Sequence, residues 1–318
     1  MAGKHPPDTA SQPLSTIPLI VILGPTAVGK TEISIQLAEH LNGEIISADS
    51  RLFYRGMDIG TAKPSAAERA RVPHHLIDVA EVDETWSLAD FQREAQRVIA
   101  DIHARRHLPF LVGGSGQYIR AICQGWTPPE LPPHPALRAI LSDWGRRIGA
   151  ENLHARLGII DPKAMQTIQP NNLRRTVRAL EVIFTTGRRF SEQRGCRQSP
   201  YRLLLLGLHR PRAELYARID ARIHDMLKAG FVEEVQHLLA RGYSPDLPSL
   251  SAIGYRQIID YLQGRLSLEE AISQIKRLTR QFVRRQANWF KPDDPQIHWF
   301  TVGPYTLDDM EKTIKEFL

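Results

Sequence analysis

Short apolar runs, separated by stretches with helical spacing, dominate the first part of the chain and return after residue 200. The run at 19–23 is followed by Ile33, Leu37 and Leu41, which share one face of a helix. Similar runs predict buried strands at 19–23, 44–48, 75–79, 109–112, 201–208 and 297–302. Strands that alternate with helices in this way indicate an α/β fold, in which helices cover both faces of a parallel sheet.

Capping signals mark the starts of several helices. Ser267 with Glu270 three residues later forms a capping box, in which each side chain bonds the backbone N–H group of the other residue. Comparable signals predict helices that begin near Ser87, Asn172 and Pro211.

The first predicted strand leads directly into a glycine-rich loop. Residues 24–31 match the pattern G-x-x-x-x-G-K-[ST] between a strand and a helix, which is the context that a phosphate-binding loop requires. In such a loop, backbone N–H groups surround phosphate oxygens at the start of a helix. The lysine reaches the outer phosphate, and the hydroxyl binds Mg²⁺. We therefore predict that a diphosphate or polyphosphate binds Gly24, Pro25, Thr26, Ala27, Val28, Gly29, Lys30 and Thr31, with Thr31 on the metal ion.

The pattern of the chain changes near residue 125. A proline-dense stretch at 127–133 precedes helical patterns that continue to about residue 200, where the strand pattern returns. The predicted fold is a P-loop NTPase-like parallel sheet with helices on both faces, plus an all-helical insertion domain. Its predicted parts are a disordered tail at 1–16, an α/β core at 17–124 and 201–318, and the insertion at 125–200.

Positive charge is concentrated in the predicted insertion. The 318-residue chain has a formal net charge of +6 and an isoelectric point near 9.4. Between 125 and 200, twelve Lys or Arg residues outnumber six Asp or Glu residues, so this surplus equals the charge of the whole chain. A basic surplus suggests an anionic partner, above all a nucleic acid, although many basic surfaces bind nothing.

The sequence lacks the usual signals for secretion or membrane insertion. Residues 1–16 have no apolar core of a signal peptide, and the longest apolar runs, 19–23 and 203–206, are too short to cross a bilayer. Cys123 and Cys196 lie far apart without metal-ligand spacing, so neither a disulfide framework nor a zinc site is expected. We expect a cytoplasmic protein that binds no membrane, and no feature requires more than a monomer.

The glycine-rich loop alone leaves the reaction open. Most loops of this kind bind ATP or GTP, which makes a kinase or an NTPase the default. The strand at 109–112, however, ends in Gly-Gly-Ser rather than in a carboxylate that helps to hold Mg²⁺, and the guanine-binding pattern N-K-x-D is absent. Asp49, directly after the second strand, can supply such a carboxylate, so the kinase interpretation stays open.

An ordered set of motifs carries a resemblance to a known family. The chain contains GPTAVGKT at 24–31, SADSRLFY at 47–54, GMDIGTAKP at 56–64, LVGGSGQY at 111–118, RALE at 178–181 with Thr186-Gly187, SAIGYR at 251–256 and RRQANWFK at 284–291. With these motifs it resembles the bacterial tRNA dimethylallyltransferases, or tRNA isopentenyltransferases, of the IPP transferase family. The resemblance extends from about residue 18 to about residue 300.

The resemblance implies a reaction as well as a fold. The family transfers a dimethylallyl group from dimethylallyl diphosphate to N6 of an adenosine beside the anticodon of tRNA. The implied partners are therefore the tRNA anticodon stem-loop and dimethylallyl diphosphate, and the implied cofactor is Mg²⁺. The glycine-rich loop would hold the diphosphate leaving group, where Lys30 and a Thr31-bound Mg²⁺ stabilise negative charge as the C–O bond breaks.

The same resemblance assigns catalytic roles to Asp49, Ser115, Lys30 and Thr31. Asp49 would be the general base that accepts a proton from N6, with magnesium binding or loop capping as its alternative role. Ser115 stands where the family usually has Thr, so a hydroxyl is kept. Gln117 stands where the family usually has an apolar residue, and we assign it no role.

Two arginines of the long helix after Pro211 have two interpretations. Arg218 and Arg222 share a helix face with Asp225, because the three residues follow i, i+4, i+7 spacing. Either the arginines close over the diphosphate, or they pair with Asp225 at the surface. We include Arg222 among the predicted diphosphate ligands.

The resemblance also implies contacts with tRNA in the core and in the insertion. The acceptor adenine would leave its stack to reach Asp49, as base-modifying enzymes generally require. The implied contacts are Asp49, Ser50, Arg51, Leu52, Ser115, Arg138, Arg174, Arg175, Thr176, Val177, Arg178, Ser251, Ala252, Ile253, Gly254, Tyr255, Arg256, Arg284, Arg285, Gln286, Ala287, Asn288, Trp289, Phe290 and Lys291.

Other functions remain open on the sequence. One is an adenylate isopentenyltransferase, which prenylates free adenine nucleotides, although a mononucleotide needs no large basic insertion. Another is a P-loop small-molecule kinase, which would consume ATP without a prenyl donor. A non-catalytic RNA-binding protein is a further alternative, for which Asp49→Ala would change no activity.

Overall fold

A computed structural model describes residues 17–129, 131–193, 195–196 and 199–318. The predicted disordered tail at 1–16 lies outside the described residues. The described chain divides into two compact units. The first contains residues 17–86, 94–119 and 199–318, and the second contains residues 87–93 and the described part of 120–198.

The described strands and helices follow one another along the chain with short connections. The strands are β1 Pro18–Leu23, β2 Gly43–Ser47, β3 His74–His75, β4 Leu108–Gly113, β5 Trp126–Thr127, β6 Gly195–Cys196, β7 Arg202–His209 and β8 Ile297–Thr301. The α-helices are α1 Lys30–His40, α2 Ala66–Arg71, α3 Leu88–Ala104, α4 Gly116–Cys123, α5 Pro135–Ile148, α6 Ala150–Ile160, α7 Pro162–Thr167, α8 Leu173–Thr186, α9 Arg212–Lys228, α10 Phe231–Ala240, α11 Tyr255–Leu262, α12 Leu268–Ala287 and α13 Thr306–Phe317. A short 3-10 helix spans Phe190–Glu192.

Six strands of the first unit form one parallel sheet in the order β3-β2-β4-β1-β7-β8. β1 lies between β4 and β7, and its Ile20 is paired with Phe110 on one side and Leu204 on the other. Residues 19–23 are fully buried, because helices cover both faces of the central strand. The predicted α/β fold with a parallel sheet is confirmed.

The loops that follow β1, β2, β4 and β7 meet at one edge of this sheet, because parallel strands all end on the same side. Ala48, just after β2, donates its N–H group to Val112 O at 2.8 Å, which extends the pairing of β2 with β4 to this edge. The topology therefore brings the glycine-rich loop, Asp49 and the loop after Gly113 to one place.

The predicted strand at 75–79 is wrong over most of its length. β3 contains only His74 and His75, which pair with β2. Leu76 and Asp78 have φ angles of 59° and 55°, in the left-handed region that side chains other than glycine rarely adopt. The apolar alternation of this segment resembled a strand, but the backbone turns away from the sheet after His75.

Several capping predictions are confirmed, whereas several helices were missed, among them α2, α4 and α13. The Ser267 and Glu270 side chains each accept the backbone N–H group of the other residue at the start of α12. Helix α2 begins with an equivalent capping box of Ser65 and Glu68, a signal that we overlooked. The amphipathic α13 was also missed, although its Met310 is fully buried.

The second unit is mainly helical, with the short antiparallel pair of β5 and β6. Its core contains Leu153, Leu157 and Leu180 among other apolar residues. As predicted, the Asn172 side chain caps α8 by accepting the Arg175 N–H group at 3.1 Å.

A buried carboxylate lies at the opposite, amino-terminal side of the sheet. Glu44 at the start of β2 is fully buried and accepts hydrogen bonds from the Arg105 guanidinium. His75 Nε2 lies 2.7 Å and His107 Nδ1 2.6 Å from its carboxylate oxygens. Burial alone would raise the pKa of Glu44, but the bonds from Arg105 and the histidines outweigh it and lower the pKa.

Replacing Glu44 with glutamine should lower the free energy of unfolding by about 2 kcal/mol, because Arg105 loses its buried carboxylate acceptor and keeps only the more exposed Asp101. A native pKa below the usual value stabilises the fold above the unfolded-state pKa, and this contribution disappears as the pH falls through the native value. Urea unfolding of wild type and Glu44→Gln should therefore differ at neutral pH and converge at acid pH. The matched control is Glu39→Gln, whose more exposed carboxylate binds Arg71; an equal loss in both variants would contradict the prediction.

Candidate active site

The glycine-rich loop after β1 adopts backbone angles that its glycines allow. Gly24 has a φ of 153°, and a Cβ atom there would lie only 2.6 Å from Leu208 O of β7. Gly29 has a φ of 113° and precedes the first residue of α1. A larger residue at position 24 would push the loop away from the sheet, and position 29 requires a left-handed backbone. The loop thus presents the start of α1 toward a cavity.

This cavity has a volume of about 480 Å³ and is lined entirely by the first unit. Its polar lining includes Lys30, Thr31, Asp49 and Arg222. Apolar side chains line it as well, namely Ile45, Ile77 and Val112 among others. One cavity therefore combines cationic side chains that can bind an anion, a carboxylate and an apolar wall.

Lys30 is folded back onto its own loop. Its ammonium group donates hydrogen bonds to Gly24 O at 2.9 Å and to Pro25 O at 2.8 Å. Burial lowers the pKa of Lys30 to about 8; the Asp49 carboxylate opposes this shift, and the Arg222 guanidinium adds to it. An anion in the cavity would favour the charged lysine.

Asp49 is held at the carboxyl end of β2 by local bonds. Its Oδ1 accepts the Arg51 N–H group at 3.0 Å, and its own N–H group donates to the Ser47 hydroxyl at 3.3 Å. The turn therefore fixes the backbone of Asp49 while its carboxylate faces the cavity that Lys30 also lines. Asp49 thus adds a carboxylate to the cavity that Lys30 and Arg222 also line.

The arginines of α9 bind loops of the cavity rather than Asp225. Arg218 Nε donates to Ala27 O at 2.9 Å, and Arg222 Nη2 lies 3.4 Å from Thr61 O. Burial lowers the pKa of Arg222, while Asp49 opposes the shift. In the described part of the chain, neither arginine forms an ion pair with Asp225, although all three residues line the cavity. This geometry favours the interpretation in which the arginines close over a bound anion.

Arg210 is a further cation that contacts the glycine-rich loop, and we did not predict this contact. It lies just beyond β7, and its Nε donates to Val28 O at 2.9 Å. Its guanidinium also pairs with Glu214 in the first turn of α9. Its position directly after a strand next to β1 was the available signal.

Ser115 lies in the tight loop between β4 and α4. A Cβ atom on Gly113 would lie 2.5 Å from Ala48 O, so this glycine allows the loop to approach the segment before Asp49. Ser115 is half-buried, and its carbonyl accepts the Tyr118 N–H group at 2.9 Å in the first turn of α4. Gln117 is exposed.

Glu234 of α10 is a second feature that sequence reasoning missed. Its carboxylate accepts the N–H groups of Asp58, Ile59 and Gly60 at 2.9, 2.7 and 3.1 Å. The Tyr255 hydroxyl donates to the same carboxylate at 2.5 Å. Glu234 therefore fixes the segment that carries Thr61 into the cavity wall. No local motif predicts this role, because Glu234 and the segment 58–60 are far apart in sequence.

The predicted tRNA contacts after β2 and at 251–256 lie on neighbouring segments. The Arg51 guanidinium donates to Pro248 O at 3.3 Å and Ser249 O at 3.1 Å. Ser50 and Leu52 are half-buried. In the second segment Ser251 is exposed and Ile253 and Arg256 are half-buried, whereas Ala252, Gly254 and Tyr255 are buried.

The predicted contacts at the end of α12 also divide into two groups. The exposed residues are Arg284, Arg285, Ala287, Asn288 and Lys291. Gln286 and Phe290 are buried, and Trp289 is half-buried. Only the exposed group is available to an incoming partner in this conformation.

The predicted contacts of the second unit lie on α5 and α8. Arg174 and Arg175 are exposed, whereas Thr176 and Val177 are buried. Arg138 and Arg178 both bond the fully buried Glu181 at 2.8 Å. Burial would raise the pKa of Glu181, but the bonds from Arg178, the His134 N–H group and Arg138 lower it. The buried carboxylate holds these two arginines in fixed positions.

The cavity offers oxygen ligands of the kind that Mg²⁺ prefers. The Thr31 hydroxyl and the Asp49 carboxylate both face it. In residues 17–129, 131–193, 195–196 and 199–318, no cluster of three or more His, Cys, Asp or Glu residues forms a metal cage. This arrangement fits Mg²⁺ better than a structural metal, because Mg²⁺ keeps several waters and binds substrate phosphates with one or two protein ligands.

The described helices do not include one that is both long enough and apolar enough to cross a membrane.

Known proteins match this chain over most of its length. The family model described as IPP transferase matches residues 52–293. The tRNA dimethylallyltransferase of Roseiflexus sp. (strain RS-1) is 55% identical over 275 residues, which cover 86% of this chain and 90% of that protein. That of Thermomicrobium roseum is 51% identical over 285 residues, which cover 90% of this chain and 86% of that protein.

Solved structures give the same result. The tRNA isopentenylpyrophosphate transferase from Bacillus halodurans matches with a TM-score of 0.71 and 42% identity, covering 95% of this chain and 97% of that one. A eukaryotic dimethylallyltransferase acting on tRNA matches with a TM-score of 0.78 and 28% identity, covering 95% of this chain and 78% of that one. The loop, the carboxylate and the arginines thus occur in a chain that is similar to these transferases along most of its length, and the chain belongs to the IPP transferase family.

Proposed function

We propose that this protein transfers a dimethylallyl group from dimethylallyl diphosphate to N6 of the adenosine beside the anticodon of tRNA, with release of diphosphate. The observation that carries the proposal is the convergence of Lys30, Arg222 and Asp49 on one cavity in a member of the IPP transferase family. Because the acceptor is tRNA, we expect the enzyme to act in the cytoplasm, and we expect it to act as a monomer.

The glycine-rich loop stabilises the leaving group. When diphosphate enters, the Lys30 ammonium exchanges the carbonyls of Gly24 and Pro25 for phosphate oxygens. Backbone N–H groups at the start of α1 and the Arg222 guanidinium add further donors. Mg²⁺ bound by the Thr31 hydroxyl would supply additional charge stabilisation to the diphosphate. The C–O bond of the donor then breaks, and its electron pair leaves with diphosphate.

Asp49 removes the proton from the acceptor. The exocyclic amine of adenine is a weak nucleophile, because its lone pair is delocalised into the ring. A carboxylate that accepts a hydrogen bond from N6–H increases electron density on the nitrogen and takes the proton as the new C–N bond forms. Asp49 lies close enough to Lys30 and Arg222 to shift their pKa values, so base and leaving-group site share one cavity.

The remaining groups position the two substrates. Apolar side chains in the cavity, including Ile45 and Val112, provide a surface for the five-carbon group. Ser115 does not line the cavity itself but lies two residues after Gly113, which does, and we assign its hydroxyl to the acceptor side. On the first unit, exposed Arg284 and Arg285 bind RNA phosphates, which gives affinity but little sequence information. On the second unit, the exposed Arg174 and Arg175 of α8 also bind RNA phosphates.

The acceptor distinguishes this function from its alternatives. Labelled dimethylallyl diphosphate should transfer label to an anticodon stem-loop RNA and not to AMP. A stem-loop with guanosine in place of the acceptor adenosine is the matched control and should remain unlabelled. Label on AMP alone would indicate an adenylate isopentenyltransferase, and ATP consumption without prenyl transfer would indicate a kinase.

Asp49→Asn should lower kcat by roughly 10²- to 10⁴-fold, because the base is lost while the shape of the side chain is kept. The Kd for stem-loop RNA should change by less than about threefold, since phosphate contacts dominate affinity. The control is Asp225→Asn, which removes another carboxylate that lines the cavity and should leave kcat within about threefold. Single-turnover prenyl transfer measures both effects, and a comparable loss in the two variants would count against Asp49 as the base.

The pKa of Lys30 predicts a pH dependence of anion binding. Near pH 7 the ammonium form dominates in the free protein, and above its pKa of about 8 the neutral form dominates. Bound diphosphate favours the ammonium form, so binding above pH 8 requires proton uptake and becomes weaker. The affinity of wild type for pyrophosphate, divided by that of Lys30→Met, should fall by about fivefold between pH 8 and pH 9, in proportion to the ammonium fraction of Lys30. The ratio cancels the titration of pyrophosphate itself, and a flat ratio would contradict the assignment.

A further inference from the structure

Gln286, near the end of α12, bridges the glycine-rich loop and the loop that carries Ser115. Its Oε1 accepts the Thr26 N–H group of the glycine-rich loop at 3.0 Å. Its Nε2 donates to Gly114 O, directly before Ser115, at 3.0 Å. The two partners fix the orientation of the amide, because a donor must face the oxygen and a carbonyl must face the nitrogen. With only 6% of its surface exposed, Gln286 is an internal residue in this conformation.

The glycines on either side of Ser115 make room for the end of α12. A Cβ atom on Gly114 would lie 2.3 Å from Gln286 Nε2 and 3.0 Å from Gly24 O. A Cβ atom on Gly116 would lie 2.2 Å from Trp289 Cγ. Ser115 therefore stands between two glycines, of which one contacts Gln286 of α12 and the other contacts Trp289, two residues beyond the end of α12. Its placement depends on where the end of α12 lies.

The opposite face of the same helical turn is exposed and positively charged. Arg284 and Asn288 are each two residues from Gln286, and two residues correspond to about 200° around a helix axis. Both are exposed, and they belong to the surface proposed to bind RNA. A helix is stiff over such a short length, so a small displacement caused by RNA on the outer face moves Gln286 as well.

We propose that Gln286 is a positioning residue, which sets the spacing between the glycine-rich loop and the Ser115 loop and couples acceptor binding to diphosphate binding. The inference rests on the proposed function, in which RNA binds the outer face of α12. RNA on this face orders the end of α12, and Gln286 transmits that order to Thr26 and Gly114. The diphosphate site is then better formed before the donor arrives.

Such coupling has a measurable signature. If RNA increases the affinity for pyrophosphate by a given factor, pyrophosphate must increase the affinity for RNA by the same factor. We expect a factor of at least about five in the wild-type protein, the lower end of typical coupling between two sites. Isothermal titration with each ligand in the presence and absence of the other measures the factor in both directions.

Gln286→Met keeps the length of the side chain and removes both hydrogen bonds. The coupling factor should fall to about one, and kcat should fall by roughly tenfold, because two net hydrogen bonds are lost at the site. Affinity for RNA measured without pyrophosphate should change less than about threefold, since the exposed phosphate contacts remain. A variant that only lost stability would not lose coupling selectively.

Gln92 offers a matched control. It is also a buried glutamine with two backbone partners, since its Nε2 donates to Ala121 O at 3.0 Å and to Trp126 O at 2.5 Å. Gln92→Met should lower the melting temperature to a similar extent but leave the coupling factor unchanged. Equal loss of coupling in both variants would overturn the proposal.

Gly114→Ala tests the same contact from the other side. Its new methyl group would displace the Gln286 amide, so this variant should reproduce the loss of coupling even if Gln286→Met does not fold. Absence of coupling in wild type, or full coupling in Gln286→Met or Gly114→Ala, would overturn the proposal. Both binding measurements use pyrophosphate, which does not react, so they remain decisive even if wild type fails to prenylate the stem-loop. That failure would refute the proposed function rather than the coupling.

Discussion

The candidate active site depends on two cations, Lys30 and Arg222, that are buried beside one carboxylate. Lys30 and Arg222 both have pKa values below their usual ranges because they are buried, and Asp49 is the carboxylate that opposes both shifts. Without an anion, Lys30 uses the carbonyls of Gly24 and Pro25 as partners. Two cations beside one carboxylate leave a surplus of positive charge, which suits the diphosphate of the proposed reaction. In the proposed reaction, one arrangement of charge would serve both the binding of the leaving group and the activation of the nucleophile.

The parallel sheet makes this arrangement possible with residues that are distant in sequence. The glycine-rich loop, Asp49, Ser115 and Arg210 each follow a strand, and the strands end at the same edge. The α9 helix adds its arginines from the side, where they bind carbonyls of the glycine-rich loop and Thr61. No single segment contains the site, so its chemistry requires the folded sheet.

Much of this organisation was predictable from sequence, because it depends on local patterns. The glycine-rich loop, the alternation of strands and helices, and the caps at Ser267 and Asn172 are all encoded within a few residues. The failures share a different origin. The segment after His75 has the apolar spacing of a strand, but its left-handed residues turn it away from the sheet. The roles of Glu234 and Gln286 depend on partners more than 100 residues away, for which sequence spacing gives no signal.

Glu234 gives the cavity a wall that is complete before any substrate arrives. Three successive backbone N–H groups at 58–60 resemble an anion-binding nest, but the protein fills this nest with its own carboxylate. A tethered ligand has a high local concentration, so phosphate ions from solution compete poorly for these amides. In the described part of the chain, no carboxylate fills the glycine-rich loop in this way, and its Thr26 N–H group donates to the Gln286 amide instead. The wall at Thr61 therefore keeps its shape through a bond network inside the protein, whereas the Lys30 side of the cavity keeps a surplus of positive charge for an incoming anion.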